Sequence, residues 1–233
     1  MCGRFALTLP PEAMEALFEA EAGDLPPTPR YNICPTQDIA VVVTHDDARH
    51  ITPMRWGFLP RWYKSPTDGP LLINARAETL AEKPAFREAA RARRCLIPAS
   101  GFFEWTASAG RGKYPWYIHP ASGDVLAFAG VWQSWRGPDG QRLVTAAIVT
   151  TAANKALEEV HHRMPVILAP GDWPLWLGEA GKGAAALMQP APEDLLIRHR
   201  VSRAVNGLKA EAGPELLEPV DQEGGGPDSG TAV

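Results

Sequence analysis

Apolar residues recur at helical spacing over residues 11–22, with Pro11 in the first turn and Gly23 as the stop, which predicts an opening helix. Leu25-Pro26-Pro27-Thr28-Pro29 then reads as an extended linker into Arg30-Tyr31-Asn32-Ile33-Cys34-Pro35. Beyond it the period shortens. Residues 39–43 form a β-branched strand, Asp46-Asp47 its turn, and residues 51–58 a second strand. An irregular stretch, 60–70, holds Trp62, Tyr63 and Lys64, and an apolar run over 71–75 leads into Arg76-Ala77-Glu78-Thr79. Residues 84–94 predict a second helix with an arginine face (Arg87, Arg91, Arg94). Strands are expected over 95–98, 101–105, 114–119, 125–135 and 143–151, with 108–113 a hairpin loop. A short helix over 152–160 delivers His161, and an apolar run over 165–168 follows. Residues 170–177 and 183–189 look helical, 195–201 returns as a strand, and 215–220 closes the fold. Strands fill the middle and helices the edges, so the pattern predicts one α+β domain over residues 1–220 without internal repeats.

Composition changes this picture little. At 233 residues, 45% hydrophobic and 21% charged, the chain is long enough for one well-filled core. No apolar run approaches a membrane span and no secretory signal is visible, so no membrane partner is expected. The three widely spaced cysteines (Cys2, Cys34, Cys95) fit a reducing, cytoplasmic compartment better than a disulfide framework. Without Cys-x-x-Cys or a His/Cys cluster at zinc spacing, no metal and no cofactor is implied. Net charge is −4, against a diffuse basic surface for duplex DNA. Three of the acids (Asp221, Glu223, Asp228) fall in a Gly/Pro-rich tail over 221–233, read as disordered, which leaves about −1 for residues 1–220. A near-neutral body can carry a local basic groove, so charge leaves nucleic acid open.

The candidate chemistry begins at Met1-Cys2-Gly3-Arg4-Phe5. With Met1 removed, Cys2 carries a free amine, pKa about 7.7–8.0, beside a thiol of about 8.5. Such a pair condenses with an aldehyde to a Schiff base and closes a five-membered thiazolidine on the same carbon, which no internal cysteine can do. Glu104, between Phe103 and Trp105, is either a desolvated acid–base carboxyl of raised pKa or the solvent side of an alternating strand. His161 is a base near neutral pH or a structural loop histidine, and Asn74 a sugar-binding amide or a turn cap. Arg76, Arg163 and Arg203 hold phosphates or pair with carboxylates. Trp56, Trp62 and Trp105 stack on bases or fill the core, where Trp116, Trp132 and Trp135 are expected.

Taken together, these segments resemble the SOS response-associated peptidase (SRAP) family, the abasic-site processing proteins. The matching pieces are Met1-Cys2-Gly3-Arg4-Phe5, Arg30-Tyr31-Asn32 with Pro35, Trp56-Gly57-Phe58, Ile73-Asn74-Ala75-Arg76-Ala77-Glu78-Thr79 and Gly101-Phe102-Phe103-Glu104-Trp105. Ile148-Val149-Thr150-Thr151-Ala152, His161-His162-Arg163-Met164-Pro165-Val166 and Val201-Ser202-Arg203 complete the set, in order, from residue 2 to about 220. Cys34, where alanine or another small residue is expected, and the acidic tail stand outside the pattern.

The resemblance implies a curved, partly barrel-like mixed β-sheet with peripheral helices, acting as a monomer on single-stranded DNA that carries an abasic site, including single-strand/duplex junctions. It implies a covalent crosslink in which the Cys2 amine meets the open C1′ aldehyde and the thiol closes the ring. Glu104 is expected to move protons near the amine, His161 to protonate the sugar oxygen as the ring opens, and Asn74 to orient the open sugar and the Cys2 backbone. Arg4, Arg76, Arg163 and Arg203 are expected at flanking phosphates. Trp56, Gly57, Phe58 and Trp62 would wedge against bases, and Asn32, Pro35, Trp105, Thr150 and Ser202 would line the DNA path. A weak lyase side path and self-processing at Met1-Cys2 follow from the same chemistry. The rivals are an N-terminal-nucleophile thiol peptidase or amidohydrolase, and a non-catalytic single-strand reader.

Overall fold

All five side chains of the apolar run 39–43 are buried in the computed structural model, because the strand containing them is covered on both faces. The model describes residues 2–108, 112–207 and 213–220. The chain opens with β1 (Phe5–Leu7), α1 (Pro11–Phe18), β2 (Ala20–Ala22), β3 (Arg30–Ile33), β4 (Asp38–His45), β5 (Ala48–Trp56) and β6 (Asn74–Arg76). After α2 (Arg87–Ala92) come β7 (Arg94–Ala99), β8 (Gly101–Ser108), β9 (Gly112–Pro120), β10 (Leu126–Arg136) and β11 (Arg142–Ala152). α3 (Lys155–Glu158), β12 (Arg163–Pro165), α4 (Trp173–Leu177) and β13 (Leu196–Arg200) complete it, with short 3-10 turns between.

Five strands close on themselves. β11, β10, β7, β4 and β5 pair antiparallel in that order, and β5 returns to β11 in a parallel contact at Thr145–Arg55 and Ala146–Trp56. Gly130 sits where strands crowd inside this barrel, since a Cβ there would lie 2.8 Å from the Cys95 sulfur. A second, antiparallel sheet runs β13–β9–β8–β1–β3. β7 passes into β8 through Ser100, so one nearly continuous strand serves both sheets, and the Ser100 N–H donates to the Ala6 carbonyl at 2.7 Å. Phe5 and Phe102, opposite each other on β1 and β8, meet Phe128 of the barrel edge-on at 6.2 and 5.8 Å, and Phe5 also meets Trp56 at 5.1 Å. The expected single α+β domain around a curved, partly barrel-like mixed sheet with peripheral helices is what these pairings build.

Several boundaries differ from expectation. The helix over 11–22 ends at Phe18, where Glu19 turns left-handed at φ 51°. The Glu15 carboxylate accepts the Ala22 N–H at 2.9 Å, and residues 20–22 add to the edge of β5 instead. The helix over 84–94 shrinks to α2 because Arg94 already pairs with Val131 of β10. The helix over 152–160 shrinks to α3: β11 runs through Ala152, and Asn154 Oδ1 caps the first turn by accepting the Leu157 N–H at 3.2 Å. Of the three core tryptophans expected, only Trp135 is buried; Trp116 and Trp132 are half-buried. Residues 109–111 of the expected hairpin loop and the tail 221–233 lie outside the described residues. No helix among those described is long and apolar enough to cross a membrane.

Candidate functional site

β11 gathers the site. Along one edge it pairs first with β5 and then with β6, placing Asn74 opposite Ile148 and Arg76 opposite Thr150. Along the other it pairs with β12, Thr150 opposite Pro165, which brings His161 and Arg163 to the same end. β1, docked on β8 by Phe5, delivers Cys2 from the neighbouring sheet. Asn74 Nδ2 donates to the Cys2 carbonyl at 2.9 Å, while Asn74 Oδ1 is buried without a hydrogen-bond partner among the described residues. Glu104 is only 3% exposed, and burial pushes its carboxyl above the usual carboxylate range. Its Oε1 lies 4.0 Å from His161 Nδ1.

That histidine is prepared for both protonation states. Nδ1 is 3.0 Å from the Arg163 backbone N–H and 3.2 Å from the Arg163 carbonyl oxygen, so the ring finds a backbone partner as acceptor or donor. Burial holds its pKa below the ordinary histidine value, and His162 stacks on it with centroids 4.4 Å apart. The Cys2 thiol is 1% exposed, and burial, then the nearby Glu104 carboxylate, push its pKa up. Cys2, Asn74, Glu104 and His161 therefore form one constellation from four distant parts of the chain. It can hold a reacting carbonyl beside the Cys2 backbone and move protons through a carboxyl–imidazole pair.

The residues expected to line a DNA path divide into three groups. Arg76, Trp62 and Arg203 face solvent, Trp62 at 57% exposure. A second group makes hydrogen bonds and ion pairs within the fold. Arg163 makes a two-pronged ion pair with Glu78 at 2.6 and 2.9 Å and donates to the carbonyl of the buried Thr150 at 2.7 Å. Arg4 donates to Asn32 Oδ1 at 2.9 Å and to the Val205 carbonyl at 2.6 Å, and Asn32 Nδ2 donates to the Gly207 carbonyl at 3.1 Å, so the pair holds the 205–207 segment in place. Trp105 is half-buried with its indole N–H on Asn206 Oδ1 at 2.8 Å, Ser202 caps the turn at Ala204, and Pro35 is half-buried beside the buried Cys34.

The third group is a correction. Trp56 and Phe58, expected to stack or wedge against bases, are 0% and 1% exposed. Trp56 ends β5 inside the barrel, its indole N–H on the Ile73 carbonyl at 3.0 Å, and Phe58 packs on Phe86 at 5.0 Å. Neither offers a ring face to a base, and Gly57 between them (φ 136°) turns the chain where a Cβ would strike Arg55 and Leu71 at 2.8 Å. Glu78, which anchors Arg163, was legible only as part of its motif. Among the described residues no group of three or more His, Cys, Asp or Glu side chains is arranged to hold a metal ion.

The model of the SOS response associated peptidase (SRAP) family matches residues 1–208. The chain is 37% identical over 225 residues to abasic site processing protein YoqW of Bacillus subtilis (strain 168), covering 94% of this chain and 99% of that one. It is 33% identical over 231 residues to abasic site processing protein YedK of Escherichia coli (strain K12), covering 94% and 100%. Against abasic site processing protein HMCES of Rattus norvegicus the identity is 30% over 273 residues, covering 95% and 76%. A crystal structure of a protein from Bacteroides thetaiotaomicron, 24% identical, superposes with a TM-score of 0.83 over 94% of this chain and 100% of that one, showing the same fold. From the match of the family model, the identities to these relatives and the shared fold, the chain belongs to the SRAP family.

Proposed function

We propose that this protein processes abasic sites in single-stranded DNA, capturing the open C1′ aldehyde as a covalent crosslink on Cys2 once Met1 is removed. The observation that carries the reading is the convergence of Cys2, Asn74, Glu104 and His161: a 2.9 Å hydrogen bond fixes the Cys2 backbone and a carboxyl–imidazole pair 4.0 Å apart stands beside it. The relatives are themselves named abasic site processing proteins.

In this reading His161 protonates the sugar ring oxygen as the hemiacetal opens. The Cys2 amine adds to C1′, and Glu104 relays the protons by which water leaves to form the imine. The thiol then adds to the same carbon. A carbon–sulfur bond forms, the thiol proton ends on nitrogen, and the thiazolidine is complete without any other reagent. If β-elimination outruns that closure, the strand is cut, which gives a weak lyase path. In this reading Arg76 and Arg203 meet flanking phosphates and Trp62 the end of a duplex at a junction, which their exposure supports, and the protein works as a monomer. Met1 is removed by self-processing with the same residues.

The thiol peptidase reading asks for a thiolate, stabilised below its ordinary pKa. Here burial and Glu104 hold the Cys2 thiol protonated, which suits a sulfur that reacts second, after the amine. Incubation with a single-stranded oligonucleotide carrying an abasic site should give a heat-stable shifted band, and the intact mass of the active protein should lack Met1. Cys2→Ala should abolish the band, Cys2→Ser should leave at most an imine that borohydride traps, and Glu104→Gln should slow formation about 10²-fold. A Cys2→Ala protein that still crosslinks would sink the proposal, as would an active protein that keeps its methionine.

A further inference from the structure

On the sheet face that carries Glu104, three arginines and two aromatic rings alternate. Arg198 lies over Trp116 at 5.6 Å, Arg200 lies 5.2 Å from Trp116 and 5.0 Å from Tyr114, and Arg203 lies over Tyr114 at 4.5 Å. The register explains the position. Glu104 of β8 is opposite Trp116 of β9, and Trp116 is opposite Arg200 of β13. Directly opposed residues of antiparallel strands share a face, and each strand step is about 4.8 Å, so Arg200 stands about 10 Å from Glu104 in one straight row. Thr106 and Tyr114 form the next row outward, and Trp116 is fixed by its indole N–H on Thr106 Oγ1 at 3.0 Å.

One charge of this ladder, that of Arg200, has no ion-pair partner among the described residues. Arg198 pairs with Glu159 at 2.6 Å and also donates to the Ala156 carbonyl. The Arg200 side chain makes no hydrogen bond or ion pair among the described residues, and its Nε is buried without an acceptor there. Ring contacts keep its guanidinium flat and in place but satisfy none of its in-plane N–H donors. A half-buried planar cation stacked on two rings, with no side-chain acceptor among the described residues and in line with the acid–base carboxyl, is preorganised for a phosphate.

We infer that the ladder is a second nucleic-acid subsite, in which Arg200 takes a backbone phosphate of the strand on one flank of the lesion and Arg203 the neighbouring one. The inference rests on the reading of the site as acting on single-stranded DNA. It extends the path beyond the Glu104 pocket along β9 and β13, and it makes affinity depend on how far the strand runs on that flank.

The test uses single-stranded oligonucleotides carrying a tetrahydrofuran abasic analogue, which cannot open to an aldehyde, so that equilibrium binding is read alone. One set is extended only 5′ of the analogue and another only 3′. For the wild-type protein, extension of one flank should tighten binding more than the other. Arg200→Gln should lose about three- to tenfold in affinity on that flank and lower the slope of log Kd against log salt by about one. Arg200→Lys, which keeps the charge and the strand position, should retain the slope. Adduct formation on a true abasic site at saturating DNA should be unchanged in Arg200→Gln, which separates a subsite from a general loss of fold. Equal affinity and slope for Arg200→Gln and wild type on both flanks would overturn the ladder and leave the main site standing. A wild-type protein that binds none of these strands would overturn the DNA reading itself.

Discussion

Glu104 and His161 face each other across 4.0 Å with their pKa values displaced in opposite directions, the carboxyl upward and the imidazole downward, both chiefly by burial. The two displacements bring the proton affinities of carboxyl and imidazole toward each other, which eases transfer between them, and each has a stability consequence of definite sign. A carboxyl whose folded pKa is raised keeps its proton where the unfolded chain has lost it. Stability therefore falls as pH climbs from the ordinary carboxylate range through the raised value. Glu104→Gln cannot ionise, so it should be more thermostable than the wild type at pH 8, by about 1–3 kcal/mol or a few degrees in Tm, with the gap closing toward pH 4. A histidine of lowered folded pKa acts the other way: stability is lost as pH falls below the ordinary histidine value toward the folded one. That acid-side loss should persist in Glu104→Gln. Thermal denaturation across pH checks both limbs, and a Glu104→Gln protein less stable than wild type at pH 8 would mean that the carboxylate is net favourable where it sits.

At the scale of elements, the site depends on β1, three residues that bring Cys2 to a cleft otherwise built by β6, β8 and β12. Phe5 is its anchor, 1% exposed and in contact with Trp56 and Phe128 across both sheets. Phe5→Ala should cost about 3–5 kcal/mol. Loss of adduct should exceed what the unfolded fraction explains, since a loosened β1 no longer holds Cys2 on Asn74; a crosslinking rate that merely tracks the folded fraction would argue against this coupling. The same elements mark how far the sequence could be read. The long runs that became β4, β10, β11 and β13 were visible because alternation or continuous apolarity over five or more residues has a period. β1 and β6 were not, because three residues are too few to show one, and the termination of α1 turned on a left-handed Glu19 that no pattern announces. Among side chains, Glu104, Asn74 and His161 stood out as polar groups inside apolar segments. Trp56 and Trp62 look alike in the sequence, and only the closing of β5 on β11 at Trp56 decides that the first is core and the second faces solvent. Trp116 departs from the expected core for a related reason: it lies on a strand, but on the face shared with Glu104.

Taken whole, the molecule has net charge −4, of which residues 221–233 supply three acids and no base, so the body stands near −1. The last described residue lies where this matters. The Val220 N–H donates to the Arg200 carbonyl at 2.9 Å, so Asp221, Glu223 and Asp228 follow directly from a point beside the arginine ladder. By chain length alone, carboxylates within eight residues of that point lie no more than about 30 Å from it. They oppose the approach of a phosphate chain to Arg200 and Arg203 by competition and by field, and both effects fade as salt shortens the screening length. A chain ending at Val220 should therefore bind an abasic-analogue oligonucleotide about two- to fivefold more tightly than the full chain at 50 mM salt, with the difference gone near 0.5 M. Replacing Asp221, Glu223 and Asp228 by their amides should reproduce the gain. Fluorescence anisotropy on the three proteins across salt decides it: a gain from truncation alone assigns the effect to the bulk of the segment, and no gain from either means that the carboxylates do not reach the ladder.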